Sequence, residues 1–229
     1  MFVIQYGMQG SASSWAFRLC RSFAEAMGSD QEEILKKLDM GEWAWASIKD
    51  APFGTPPTNV WDVEEAVRRL PSYQTFVLKT HSALPNHLIS YLVDGRIKAI
   101  ITTRDPYDAA VSIHDKGEKA RKTGTKQFAS VRSLDHALEI SHKDMRKAAI
   151  WRKMPRVLEL PYTFIKNEPA ACVRLCAAYL GYDGSLDKIL KQSASNVGNF
   201  SKGLEGRGYE TFTTDQIADF VQAEKMGSN

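Results

Sequence analysis

Four short segments, residues 2–6, 75–78, 97–102 and 156–160, read as buried strands, and the stretches between them carry helical periodicity at residues 15–27, 168–180 and 183–192. The segments at 75–78 and 97–102 are continuous apolar runs rather than alternating ones, the pattern of strands covered on both faces. Strands of that kind pair in parallel, and each parallel pairing needs a right-handed crossover lying on one face of the sheet. The expected fold is therefore α/β, a three-layer sandwich with a central parallel sheet. A chain of 229 residues can bury one full core, and no repeat, low-complexity tract or linker interrupts it, so residues 1–229 read as a single domain.

Several classes are excluded at this stage. No apolar run approaches the roughly 20 residues that span a bilayer, and the opening residues lack the basic and apolar regions of a signal peptide. A cytoplasmic protein with no membrane partner is expected. Three cysteines give no disulfide framework, and Cys172 and Cys176, four apart on a helix, have no nearby histidine or second pair to complete a metal site, so they read as buried thiols. A formal charge of +3 suits a small anionic ligand and is too weak to imply nucleic acid.

Some segments carry less information. The basic stretch 116–126 reads as a solvated loop, with a mobile lid over an anionic substrate as the alternative. Residues 30–69 read as short helices around a turn-rich centre, and Trp43, Trp45, Phe53 and Trp61 either line an acceptor pocket or pack the second layer. Residues 193–208 read as a surface loop, before Thr213 caps a last helix running to about residue 224.

Three constellations carry chemistry. The first strand opens into Gly7-Met8-Gln9-Gly10-Ser11-Ala12-Ser13-Ser14 just before a helix, where small side chains let backbone N–H groups approach a phosphate. No Gly-Lys-Ser/Thr closes that loop, which counts against ATP or GTP with magnesium. Next, Leu78-Lys79-Thr80-His81 lies at a strand end, where open parallel sheets hold their ligands. Lys79 and His81 point to the same side, and the cation favours the neutral imidazole that a general base requires. Last, Arg104-Asp105-Pro106-Tyr107-Asp108 leaves the third strand, with Pro106 in the first turn of a helix that also carries Ser112. Arg104 offers a fork for phosphate, or an ion pair with Asp105 or Asp108.

Taken in this order, the motifs resemble those of the sulfotransferase family that uses 3′-phosphoadenosine-5′-phosphosulfate (PAPS). That pattern is a phosphosulfate loop after the first strand, a Lys-Thr-His segment, and Arg-x-Pro-x-Asp-x-x-x-Ser. Ser201-Lys202-Gly203-Leu204-Glu205-Gly206, followed by Thr211-Phe212-Thr213, is similar to the family's C-terminal Arg-Lys-Gly-x-x-Gly and Phe-Thr element. Leu160-Pro161-Tyr162 is similar to the place where the family supplies a tyrosine to adenine. The resemblance runs from residue 2 to about residue 220, leaving 30–69 unplaced, and it implies a P-loop-like sulfotransferase fold.

Residue by residue, it implies that the loop Gly10, Ser11, Ala12, Ser13 and Ser14 holds the 5′-phosphosulfate and that Trp15 stacks on the adenine. Arg104, Ser112, Lys202 and Gly203 would hold the 3′-phosphate, and Tyr162 and Ser193 would contact the base. His81 would be the general base, with Lys79 against the sulfuryl oxygens. PAPS is then a co-substrate, 3′,5′-adenosine bisphosphate (PAP) the product, the acceptor a small molecule with a hydroxyl or amine, and no metal is required.

The sequence departs from the family pattern at two positions. Gly10, preceded by Gln9, stands where the family has a lysine, and losing one such stabiliser costs about 3 kcal/mol in the transition state. Arg18 and Lys79 are the candidates to replace it. Ser201 stands where the family has an arginine, removing a charge-assisted contact of about 1.5–3 kcal/mol. Sulfuryl transfer from PAPS is the expected activity, and a PAPS- or PAP-binding protein with impaired catalysis is the alternative.

Overall fold

The computed structural model describes residues 1–38, 60–126, 128–197, 205–214 and 216–218. Four parallel strands form the sheet among these residues: β1 (Phe2–Gly7), β2 (Phe76–Thr80), β3 (Ile97–Thr103) and β4 (Val157–Pro161), in the order β2-β1-β3-β4. The described helices are α1 (Ser13–Ala26), α2 (Gln31–Leu38), α3 (Val60–Arg69), α4 (Ile89–Val93), α5 (Pro106–Thr123), α6 (Leu134–Arg152), α7 (Tyr162–Asn167), α8 (Pro169–Leu180), α9 (Asp187–Val197) and α10 (Arg207–Thr211). After β1 the chain moves to one side to make β2, then crosses to the other side to make β3. The C-terminal ends of β1 and β3 therefore flank a topological switch point, where ligands bind in sheets of this kind.

The chain divides into two compact units, Met1–Arg104 with Lys143–Phe200, and Asp105–His142 with Ser201–Asn229. The first holds the sheet. Val3, Val77, Ile100 and Leu160 pack under Trp15, Leu19 and Phe23 of α1, Val173 of α8 and Ile189 of α9, and full burial of each such side chain contributes about 1.5–3 kcal/mol. Tyr6, on the opposite face of β1, stacks on Trp151 of α6 with ring centroids 5.9 Å apart. Helices thus cover both faces, as the apolar strand runs require.

Cys20, Cys172 and Cys176 are buried in the core between α1 and α8. Burial pushes the thiols of Cys20 and Cys172 up to about 12 and that of Cys176 well above its usual value, so all three stay protonated at neutral pH. No helix among the described residues is long and apolar enough to cross a membrane.

The second unit is built around Tyr107, against which Phe212, Tyr209 and His142 pack. Asp105 caps α5 by accepting from the N–H groups of Tyr107 and Asp108, and Pro106 occupies the first turn. Thr213 and Gln216 form a reciprocal capping box, each side-chain oxygen accepting from the other's N–H. That places the predicted cap, while the end of its helix lies outside the described residues.

Two expected loops are corrected. Residues 116–123 continue α5 instead of forming a loop or lid, because Lys, Glu, Ala and Arg are strong helix formers. Only the second of the two glycines there marks a turn. Gly117 is needed where a Cβ would lie 2.5 Å from the Val131 carbonyl oxygen, and Gly124 ends the helix at φ 72°. Likewise 193–197 belong to α9 and 207–211 to α10, so only 198–204 of the expected loop 193–208 stays outside the described residues. Trp43, Trp45 and Phe53 lie outside them too, as does the side chain of Trp61.

Asp108, 5% exposed, ties α5 to the first turn of α10, its two carboxylate oxygens accepting from the N–H groups of Gly206 (2.9 Å) and Gly208 (2.8 Å). Asp108→Ala strands both donors and should lower stability in urea unfolding by about 2–3 kcal/mol, whereas Asp108→Asn, which keeps one acceptor, should cost less.

Candidate functional site

The site is organised by a sharp return of the chain after β1. Gly10 and Ala12 both take left-handed backbone conformations, φ 82° and φ 66°, before α1 begins at Ser13. Alternating hands turn successive N–H groups toward one side, the geometry of an anion-binding nest. The first helical turn adds donors that lack intrahelical acceptors, no side chain caps it, and it contains no acidic residue. Ser11 is fully buried, its hydroxyl bonded to the carbonyl oxygens of Met8 (2.6 Å) and Thr102 (3.1 Å) and to Thr102 Oγ1 (2.8 Å), so it pins the loop to β3. Ser13 is buried and Ser14 half-buried.

Two cations hold this loop. Lys79, in register with Gln5 of β1 and 1% exposed, donates from Nζ to Ser14 Oγ at 3.1 Å. Arg104, just past β3, donates from Nη1 to the Gly10 carbonyl oxygen at 3.1 Å, and its guanidinium lies 3.9 Å from the centroid of the Tyr162 ring. Arg104, Tyr162 and Gly10, predicted from separate motifs, therefore come together. The Asp105 and Asp108 carboxylates accept from backbone N–H groups within their own unit.

His81 follows β2. Its Nδ1 pairs with the Gly7 carbonyl oxygen, which can only accept, so Nδ1 carries the proton and Nε2 is the basic nitrogen of the neutral ring. The sequence reading missed what lies behind this histidine. Asp144 of α6 is 1% exposed, and its carboxylate accepts from the Gln9 N–H (3.0 Å) and from Lys147 Nζ (2.9 Å). Lys147 also donates to the His81 carbonyl oxygen (3.0 Å), and Trp151 Nε1 donates to that of Ser82 (3.2 Å). Tyr6 donates to the Asp144 carbonyl oxygen at 2.7 Å, and burial, reinforced by the Asp144 charge, pushes its phenol far above the ordinary range. A signal existed. Along 137–151 the positions Ala137, Leu138, Ser141, Asp144, Ala148 and Trp151 form one buried stripe, in which an aspartate is out of place unless paired.

The remaining predicted residues are dispersed. Trp15 is 2% exposed, and its indole N–H donates to the carbonyl oxygen of Ser193 on α9 (3.1 Å), whose own hydroxyl donates to Leu190 O (2.9 Å). A small cavity beside this contact is lined by Trp15, Ile189 and Ser193, and Arg18 forms part of its wall. Ser112, buried on α5, belongs to the second unit. Lys202 and Gly203 lie outside the described residues.

Residues 15–225 match the family model described as sulfotransferase domain. The fold is similar to that of a mouse sulfotransferase, SULT7A1, complexed with PAP, at TM-score 0.59 and 18% identity over 96% of this chain and 82% of that one. It is similar also to retinol dehydratase in complex with androsterone and inactive cofactor PAP, at TM-score 0.57 and 17% identity over 98% of this chain and 78% of that one. A complex of retinol dehydratase with retinol and PAP gives TM-score 0.56 and 16% identity over 98% and 79%. No curated protein sequence matches the chain.

At Ala12 the left-handed conformation costs an L-residue about 1–2 kcal/mol, against about 0.5–1 kcal/mol for the freedom a glycine would lose on folding. Ala12→Gly should accordingly raise Tm by about 1–4 °C in a calorimetric scan, with the loop conformation kept.

Proposed function

Because the chain belongs to the sulfotransferase family, we propose that it moves a sulfuryl group from PAPS to the hydroxyl or amine of a small-molecule acceptor. The observation that carries this reading is the convergence at one loop of a backbone nest, the Lys79 ammonium, the Arg104 guanidinium and the His81 imidazole. A doubly anionic phosphosulfate fits a nest with the Lys79 ammonium beside it, the Arg104 guanidinium suits the second phosphate of the nucleotide, and the base stands at the same strand ends. The PAP complexes of fold-level neighbours support the choice of nucleotide, and the complexes with androsterone and retinol support a small acceptor. The family match runs through both compact units, which supports reading them as one domain. A cytoplasmic location, where thiols stay reduced, fits as well.

In the mechanism, the loop amides and Ser14 hold the phosphosulfate while Lys79 faces the sulfuryl oxygens. The acceptor oxygen or nitrogen attacks sulfur in line and gives its proton to His81 Nε2. The bond from sulfur to the bridging oxygen breaks, and PAP departs with the electron pair. Positioning and charge supply most of the acceleration, as in phosphoryl transfer. Arg104, with Ser112, Lys202 and Gly203, is assigned to the 3′-phosphate, and Tyr162 and Ser193 to the base. Stacking of adenine on Trp15 requires the α1–α9 contact to open, since the indole is almost wholly covered.

Gly10 gives the binding-only alternative its one specific support. At φ 82° a lysine there would be strained by about 1–2 kcal/mol, so this loop is shaped for glycine, and Lys79 and Arg104 are the cations in place. Incubating the protein with PAPS and a panel of phenols, alcohols and amines decides the matter. Formation of PAP with a sulfated product is expected, and a thermal shift with PAP but no product over the whole panel would establish a binding protein instead. His81→Ala should lower kcat by about 10²–10⁴ while PAP affinity changes less than about threefold. An unchanged rate removes His81 from the mechanism.

A further inference from the structure

We infer that Asp144 and Lys147 are positioning residues, which set the His81 imidazole against the loop after β1. The inference rests on the function proposed above and assigns roles to two residues outside the motifs. Neither touches the reacting atoms, and both act through His81.

The argument starts from a closed circuit. The Gln9 N–H donates to Asp144 Oδ2 (3.0 Å), Lys147 Nζ donates to Asp144 Oδ1 (2.9 Å) and to the His81 carbonyl oxygen (3.0 Å), and His81 Nδ1 donates to the Gly7 carbonyl oxygen. Gly7 and Gln9 are two residues apart on the same chain, so the circuit ends where it begins. One turn further along α6, Trp151 holds the Ser82 carbonyl oxygen (3.2 Å). The carbonyls of the histidine and of the residue after it are therefore fixed by the helix that fixes the loop.

Charge explains why the device is strict. A carboxylate only 1% exposed is tolerable when both oxygens are satisfied, and here one takes a backbone N–H and the other an ammonium. Without Lys147 the carboxylate loses its counter-charge and the His81 carbonyl loses its donor. The backbone that aims the imidazole at Gly7 then loses this tie to α6, and the Nδ1–H tautomer is no longer enforced by a rigid backbone. Lys147 is itself 33% exposed at the side chain, so replacing it opens no core.

The test uses Lys147→Met and the wild-type protein, each saturated with PAP, at a pH where the ring is neutral. Long-range proton–nitrogen correlation spectra of histidine-labelled protein report which ring nitrogen bears hydrogen, and His81→Ala identifies the resonance. Wild type should show Nδ1 protonated and Nε2 bare. Lys147→Met should show a mixture of tautomers, with PAP affinity within about threefold of wild type and kcat reduced tenfold or more at a similar KM for PAPS, as expected of a base displaced by about 1 Å. Lys147→Arg, which keeps a cationic donor, should recover most of that loss. Asp144→Asn should move the resonance in the same direction. An unchanged ring pattern in Lys147→Met, or a changed pattern with undiminished turnover, overturns the inference. A wild-type protein that transfers no sulfuryl group overturns the proposed function instead, and the ring pattern alone then decides whether this pair holds the imidazole.

Discussion

A Cβ at residue 7 would lie 2.1 Å from the Cβ of Ser13 and 2.8 Å from Thr102 Oγ1, so α1 can fold back over the end of β1 and sit beside β3 only because Gly7 carries no side chain. The contacts of the site follow from that approach. Ser11 reaches Thr102 and closes the loop against β3, and the Gly7 carbonyl oxygen receives His81 from the end of β2. The ends of β1, β2 and β3 are thereby tied together, and a nest built from backbone alone acquires a fixed place in the sheet.

Onto this frame the chain brings positive charge without nearby acid in the first turn of α1. The Lys79 ammonium, almost wholly withdrawn from water, and the Arg104 guanidinium, stacked on Tyr162, face the loop from β2 and β3. A low-dielectric setting strengthens what such cations do to an anion, and it makes their geometry matter more than their number. The glycine at position 10 belongs to that geometry. Its left-handed backbone turns the carbonyl toward Arg104, which holds it from the end of β3.

The strands, the loop and the start of α5 at Pro106 were legible because each has a local cause: apolar runs, small residues, a proline whose fixed φ suits a first helical turn. What sequence reading lost was set by distant partners. Gly117 looks like a breaker until Val131 is seen against it, and the Lys-rich end of α5 looks like a loop if its two glycines are read as turns. The family resemblance implies that Trp15 stacks on the adenine, and only the fold shows that Ser193, nearly 180 residues away, accepts from its N–H. Asp144 carries the same lesson in reverse. A charge within an apolar stripe is explained only in part by its neighbour Lys147 three residues on, and its distant partner at Gln9 appears only once the fold is assembled.

The three thiols between α1 and α8 bear on how the chain meets oxidants. Disulfide exchange and peroxide attack proceed through the thiolate, and these sulfurs are held protonated and out of reach. The native protein should be indifferent to the glutathione balance around it, whereas an unfolded chain exposes all three. Oxidation then works as a ratchet on quality: it spares molecules that have folded and captures those that have not, so the redox record of a population of this protein is a record of its folding history.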